Sequence, residues 1–418
     1  MFPKLRFKEF DENWKEVTLK NCITSIDSGW SPQCESYPAN SSEWGVLKTT
    51  SVDWSGFNSS FNKKLPLELT PRKEIEVKPL DILVTRAGPT ERVGVVSVVP
   101  HSVRSKLMIS DKLIRLKSNE ENNPLFLGIS LSSVKCQNQL QSKTSGLAKS
   151  QTNISQKILG EVLLKLPSKE EQTKIASFLS AVDEKISQLT KKHELLSQYK
   201  QGMMQKLFSQ QLRFKADDGS EFGEWEEVRL GNLVDLTSGF AFKSDFFSED
   251  GNKLITPKNF TTTGKANFTD TNTKWTTEIS DKKYICRPND LLVLLTDLTQ
   301  SCELLGKPIL LSQDDGNVLL NQRIVKIIPN RKLEKPFLLY LLLTDDFHEL
   351  IVSTASGTTV KHSSNKVLQS FHFYLPCIEE QTKIANFLSA IDQKIEVVAQ
   401  QIEQAKTWKK GLLQQMFV

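Results

Sequence analysis

The sequence predicts a mixed α/β chain: two similar globular bodies joined by two long helices that pack antiparallel as a coiled-coil-like spacer. Three observations predict it. The stretch Leu166 to Ile186 returns as Leu375 to Ile395 with sixteen of twenty-one positions identical, at a constant offset of 209, half of the 418 residues. Each copy continues as an apolar seam at three- and four-residue steps. Between the copies lie short apolar runs bounded by turn residues, the pattern of strands. Solenoid repeats run about 20–50 residues, so a repeat of half the chain is a duplication of body plus helix. The expected bodies are 1–165 and 212–374, and the expected helical spacers 166–211 and 375–418.

The bodies begin alike. Leu5-Arg6-Phe7-Lys8 and Trp14 in the first return as Leu212-Arg213-Phe214-Lys215 and Trp225 in the second. Each tryptophan precedes a strand-like pair, which suits a residue pinning the start of its body to a core. Strands are expected at Asp81–Val84, Val93–Val99, Leu291–Leu295 and Ile324–Ile328, and helices at Pro124–Leu140 and Glu334–Val352. The strands opening at Asp81 and Asp290 correspond at the same offset of 209, but the residues after them differ, Thr85-Arg-Ala-Gly-Pro89 against Leu294-Leu-Thr-Asp-Leu298. One scaffold with divergent loops suggests two binding specificities.

The helices carry the clearest periodicity. The first seam runs through Leu179, Val182, Ile186, Leu189, Leu196 and Met203. The second runs in the same phase through Leu388, Ile391, Ile395, Val398, Ile402 and Leu412. About 40 residues of helix reach roughly 60 Å, and one apolar stripe of that length needs a partner. The other copy is the obvious one. Glu-Glu-Gln after a proline suits the positive end of the helix dipole. His193 and Lys200 interrupt the first seam as register or solvation features, and Tyr199 and Trp408 flank it as packing or partner contacts.

Composition narrows the function. Net charge is +5, spread unevenly: residues 1–165 hold 23 basic against 17 acidic side chains, whereas residues 212–377 hold 19 against 22. A body that binds nucleic acid by itself is expected to be clearly basic, so charge neutralisation must come from local patches or from partners. No apolar run reaches the roughly 20 residues that cross a bilayer, and the charged start is unlike a signal peptide. Six cysteines without a Cys-x-x-Cys pair fit a reducing cytoplasm and argue against zinc ribbons. There is no glycine-rich dinucleotide loop, Walker lysine loop or nucleophile elbow, and the five histidines lack metal-ligand spacing. Asn123-Pro-Leu-Phe reads as a turn before a helix, and Glu76-Val-Lys78 as a chance triplet. An enzyme of its own is therefore not the favoured class.

Candidate binding residues sit on loops. Arg86 and Gly88 follow a strand end, where a guanidinium can reach a phosphate or a base edge. Lys149, Gln151 and Asn153 follow Ser145-Gly146. Lys361, His362 and Ser363 follow Ser356-Gly357. Glycine, hydroxyls, lysine and asparagine together can contact a phosphate backbone. Lys243, Lys258 and Asn259 lie among phenylalanines, a mixture that nucleic-acid surfaces use. Ordinary solvated loops and core phenylalanines are the plainer readings.

The repeated Leu-Pro-x-x-Glu-Glu-Gln-x-Lys-Ile-Ala-x-Phe-Leu-Ser-x-(Val/Ile)-Asp-x-Lys-Ile, with the entry peptides and Ser-Gly-Phe-Ala-Phe-Lys, resembles the specificity subunit of type I restriction-modification systems along essentially the whole chain. The resemblance implies that each body is a target recognition domain reading one half of a split, asymmetric double-stranded DNA site. It implies that the helices hold two methyltransferase subunits, with restriction subunits joining in the full complex. S-adenosylmethionine, ATP and Mg would belong to those partners, leaving this subunit without a cofactor or metal of its own. A competing class is a scaffold holding two protein-binding domains apart. If helix length sets the gap between half-sites, four residues inserted after both Leu189 and Val398 will lengthen the undefined gap and leave the bases read unchanged. Methylome sequencing of cells carrying the variant measures this, and an unchanged gap refutes the ruler.

Overall fold

Ile82–Val84 and Leu291–Leu294 are apolar throughout because each is buried on both faces. The computed structural model describes residues 3–144, 152–297, 299 and 301–417. The chain forms two compact units, Met1–Thr190 with Gln400–Val418, and Lys191–Ala399.

In the first unit an antiparallel sheet is ordered Ile23–Ser28, Leu113–Ser118, Ile82–Thr85, Val96–Val98. Ile82 and Val84 face a core with Ile114, Leu116 and Phe126, while Leu83 faces another with Val95, Leu107 and Leu113. Three strands cover the second core, Leu107–Met108 running parallel to Gly45–Leu47 and Asn62–Lys64 antiparallel to it. The run expected at Val93–Val99 is a strand only over Val96–Val98, because the chain first turns through Gly94 at φ +85°. Helix α1 (Pro124–Leu131) is capped by Asn123, whose Oδ1 accepts the N–H groups of Leu125 and Phe126 at 3.0 and 3.1 Å. A single helix to Leu140 does not form. Ser133 ends it and caps α2 (Val134–Gln141), accepting the Cys136 N–H at 3.4 Å, as a serine hydroxyl does at an N-cap. A short α3 (Gln156–Gly160) leads to the strand Leu163–Leu166 and the long α4 (Lys169–Phe208).

The second unit repeats the plan. Its sheet is ordered Val234–Ser238, Ile324–Pro329, Leu291–Leu294, Pro308–Leu310. Leu291 and Val293 face one core, Leu292 and Leu294 another. Five strands cover the latter, Phe247–Ser248, Lys274–Thr276, Asn252–Ile255, Val318–Leu320 and Ile285–Cys286. The expected helix at Glu334–Val352 again divides, into α5 (Lys335–Leu342) and α6 (Asp345–Ser353). A short α7 (Asn365–Gln369) and the strand His372–Leu375 precede α8 (Ile378–Met416). Gly29 and Gly239 hold corresponding places: a Cβ would stand 2.0 Å from the carbonyl oxygen of Ile109 or of Asn321, so only glycine lets these backbones cross.

The first turn of each long helix is a clasp. Glu170 and Glu379 are exposed and can act on the helix dipole, but Glu171 and Gln172, like Glu380 and Gln381, are buried. Glu171 receives Arg6 Nε and Nη2, both at 2.7 Å, and Trp14 Nε1 at 3.4 Å. Glu380 receives Arg213 Nη2 at 2.7 Å and Trp225 Nε1 at 2.8 Å. Each charge-assisted fork also holds the guanidinium pKa above its ordinary value. Gln172 Nε2 donates to the Pro167 carbonyl and its Oε1 accepts the Asn123 N–H. Gln381 does the same with Pro376 and Glu334. The entry strand Lys15–Thr18 pairs with Leu163–Leu166, and Glu226–Arg229 with His372–Leu375. Thus each entry peptide closes onto the strand and helix that end its own body.

Each unit also contains one end of the other long helix. In the first, Asp183 on α4 pairs with Lys409 on α8 at 2.5 Å, and Leu412 and Met416 pack with Leu179 and Val182. In the second, Lys200 pairs with Asp392 at 2.6 Å, and Leu207 packs with Leu388 and Ile391. These pairs correspond under the 209-residue offset, and within each unit the segments run antiparallel. Leu189, Val398, Ile402 and Leu412 are also buried, while Ile186, Leu196, Met203 and Ile395 are half-buried. The compact units divide inside α4 and α8, after Thr190 and Ala399, so each takes in one body with parts of both long helices.

Removing one partner of a buried ion pair strands the other. Glu380→Ala leaves Arg213 and Trp225 without their acceptor and is expected to cost about 3 kcal/mol of stability. Urea unfolding followed by tryptophan fluorescence measures it. A loss below about 1 kcal/mol, the range of an exposed pair, would show that the clasp does not hold the unit together.

Candidate nucleic-acid interface

Beyond the buried central strand of each unit the chain makes a short two-stranded ribbon. In the first unit Ala87–Gly88 pairs with Thr152–Asn153. Its base is fixed from both sides: Arg86 N–H donates to the Lys112 carbonyl at 2.8 Å, and Ile154 N–H to the Arg86 carbonyl at 3.0 Å. Gln156 Nε2, on α3, donates to Ser28 Oγ at 2.7 Å and ties the ribbon to the end of the edge strand. In the second unit Thr296–Asp297 pairs with Lys361–His362. Leu295 N–H donates to the Arg323 carbonyl and Ser363 N–H to the Leu295 carbonyl, each at 2.9 Å. Asn365 Nδ2 donates to Ser238 Oγ at 2.9 Å. Two different sequences thus build one device.

The side chains on the ribbons differ. The first carries half-buried Arg86, Gly88 and exposed Asn153. The second carries half-buried Lys361 and exposed His362, whose Nδ1 lies 3.1 Å from Thr296 Oγ1. Asp297, in the place of Gly88, is buried. Its oxygens accept the N–H groups of Thr299 and Leu304 at 2.8 and 3.0 Å. Among the described residues the side chains of Arg86, Lys112, Arg323 and Lys361 make no ion pair and no hydrogen bond.

The structure therefore gathers Arg86, Gly88 and Asn153 on one ribbon, and Lys361 and His362 on the other. Ser363 is corrected: its hydroxyl is buried, without a partner among the described residues, and does not face solvent. Asn259 is corrected too. It is fully buried, with Oδ1 accepting the Thr256 N–H at 2.9 Å and Nδ2 donating to the Asn267 carbonyl at 3.2 Å, so it braces a turn. Lys243 and Lys258 are exposed, on turns beside the five-stranded sheet and not on the ribbon strands. Lys149 and Gln151 lie outside the described residues. Lys112 and Arg323 had not been singled out. Their signal was faint, a basic residue at corresponding places 211 apart.

The long helices offer a second surface. Tyr199 and Trp408, equivalent at the 209-residue offset, are 50% and 54% exposed. In the first unit Trp408 meets Phe178 edge-on at 5.9 Å. In the second a groove of about 1070 Å³ follows α4 and α8, lined by His193, Lys200, Met204, Lys265, Asp345 and Glu396 among others. Among the described residues no group of three His, Cys, Asp or Glu is placed to hold a metal ion. Burial pushes the Cys22 thiol up to about 11 and that of Cys286 up to about 12, which keeps both protonated and unreactive near neutral pH. Among the described residues no helix is long and apolar enough to cross a membrane.

The family model described as the type I restriction modification DNA specificity domain matches this chain twice, over residues 34–197 and 223–407. The MjaVIII specificity subunit of Methanocaldococcus jannaschii is 29% identical over 355 residues, covering 82% of this chain and 79% of that one. The EcoEI specificity subunit of Escherichia coli is 40% identical over 171 residues, 40% of this chain and only 29% of that one. The crystal structure of an S subunit from M. genitalium shares the fold over 100% of this chain and 99% of that one, with a TM-score of 0.61 at 17% identity. A chain from a study of type I R-M complex assembly matches over 97% and 98%, with a TM-score of 0.56 at 19% identity. Two copies of one sheet-and-ribbon body, each closed by the same clasp and each matched by the same family model, make this chain a member of the type I restriction-modification specificity subunits, the non-catalytic DNA-recognition components of those systems.

Proposed function

We propose that each unit reads one half of a bipartite, asymmetric double-stranded DNA target, with the ribbon beyond its central strand facing the DNA. One observation carries this reading: the same ribbon is built twice by corresponding hydrogen bonds, yet Arg86-Ala87-Gly88 in one unit stands where Leu295-Thr296-Asp297 stands in the other. A retained scaffold with exchanged side chains is what two specificities on one fold require. Phosphate contacts place such a reader and base-edge contacts specify.

Methyltransferase subunits dock, in this proposal, on α4 and α8, where Tyr199 and Trp408 expose aromatic surface, and restriction subunits join through them. Large exposed aromatics are over-represented where proteins meet. S-adenosylmethionine, ATP and Mg are then held by those partners, and this chain supplies address without chemistry.

Replacing residues 17–165 by the corresponding body of another specificity subunit will change one half-site and leave the other. Sequencing the methylated motif in cells carrying the chimaera reads the result. If both halves change, one body does not read one half-site. The purified chain with its methyltransferase partner will also retard specific DNA in a salt-dependent way. A complex that retards none would instead fit a scaffold for proteins.

A further inference from the structure

Resting on the reading that each unit contacts DNA through its ribbon, we propose a division of labour among four cations. Lys112 and Arg323 grip the phosphate backbone in the same way in both units, while Arg86 and Lys361 read sequence, each in its own half-site.

The first pair occupies one structural position. Lys112 is the third residue of a tight turn closed by Leu113 N–H donating to the Ser110 carbonyl at 3.0 Å. Arg323 is the third residue of the corresponding turn, closed by Ile324 N–H donating to the Asn321 carbonyl at 3.0 Å. Each turn feeds the strand beside the central strand. Each cation's own carbonyl then accepts the N–H of the residue that opens the ribbon, Arg86 or Leu295, at 2.8 or 2.9 Å. The turns are braced by unlike side chains, Asp111 accepting Ser31 Oγ in one and Asn321 Oδ1 accepting the Arg323 N–H in the other. The bracing has diverged, but the charge at the third position has not.

The second pair shows the opposite pattern. Arg86 corresponds to Leu295, and Lys361 to Thr152, both at the offset of 209. Each ribbon therefore carries one cation of its own, but on opposite strands: Arg86 on the first strand's side in one unit, Lys361 on the second strand in the other. All four are unpaired among the described residues, so none is spent on an internal carboxylate. If the two units read different bases, a charge common to both cannot distinguish them. It fits the invariant part of DNA, the phosphates. A charge present in only one unit fits the variable part, because Arg or Lys reaching guanine O6 and N7 is a sequence-bearing contact.

The test uses the full chain in complex with its methyltransferase partner, on DNA carrying the methylated motif and on variants of each half-site. Lys112→Ala and Arg323→Ala should each weaken binding to every sequence alike and reduce the slope of log affinity against log salt by about one. The motif methylated should stay unchanged, and Lys112→Arg should restore the slope. Arg86→Ala should lower discrimination in one half-site by about tenfold, and Lys361→Ala should do so in the other. The division of labour is overturned if Lys112→Ala leaves the slope intact or alters the bases methylated, or if Arg86→Ala affects both half-sites equally. Those results would leave DNA recognition itself standing. Failure of the wild-type complex to bind its motif would instead refute the reading on which the division rests.

Discussion

A buried carboxylate at the start of each long helix is the constraint on which the rest of each unit depends. Taking a carboxylate out of water is expensive unless it is paired and hydrogen-bonded. Glu171 and Glu380 meet that condition with a guanidinium and an indole N–H each. Those donors come from the entry peptide, about 160 residues away, so the charge is satisfied only when the body between has folded. The neighbouring glutamine, spent on the backbone before α1 or α5, brings the body's first helix to the same point. Helix start, entry peptide and body core are thus fixed together. The direction in which α4 or α8 leaves its body follows from this joint.

The same joint explains what the sequence could and could not reveal. The duplication was legible because sixteen identities at constant spacing leave no other reading. The central strands were legible because burial on both faces demands an apolar residue at every position. Glu-Glu-Gln was legible only as three polar residues at a helix start. That the second is buried follows from partners 165 and 157 residues away, which periodicity cannot register. The division of Pro124–Leu140 and of Glu334–Val352 was missed for a related reason. Both halves of each pair are good helix, and the break is local: Ser133 and Thr344 take extended backbone before the second half, and Ser133 also caps it through its hydroxyl. Lys200, which interrupts the seam and reads as a register or solvation feature, has its partner Asp392 on the other helix. The ribbons hold Arg86, Asn153, Lys361 and His362, which residue type and loop position mark as candidates. The same criteria pick out Asn259, a residue type common in nucleic-acid contacts and equally common in braced turns.

Comparing the units shows where the duplicated fold was held and where it was released. The hydrogen bond from α3 or α7 to the edge strand survives a change from Gln156 to Asn365. The crossing at Gly29 and Gly239 survives because any Cβ would strike a carbonyl oxygen. The interhelix pairs Asp183–Lys409 and Lys200–Asp392 keep both partners. Divergence appears in the sheets that cover the second cores, three strands against five, and in the ribbon side chains, where Gly88 in one unit stands at the place of Asp297 in the other. A site on a rigid base can change its chemistry without moving its backbone, which is how one fold comes to host different specificities.

Net charge alone would have set the second body aside as a DNA reader, with 19 basic against 22 acidic residues. Net charge counts every group equally, whereas a ligand feels the local field. Several acids of that body are turned inward. Asp297 is buried against backbone N–H groups, and Asp290 lies within 3.7 Å of both Lys326 and Lys335. Arg323 and Lys361, by contrast, have no carboxylate partner among the described residues. With those acids already engaged in the fold, the cations at the ribbon are left without a carboxylate beside them. A body can therefore be acidic overall and still present a cationic edge to a phosphate backbone, because the charges that stabilise its fold are separate from those left facing outward.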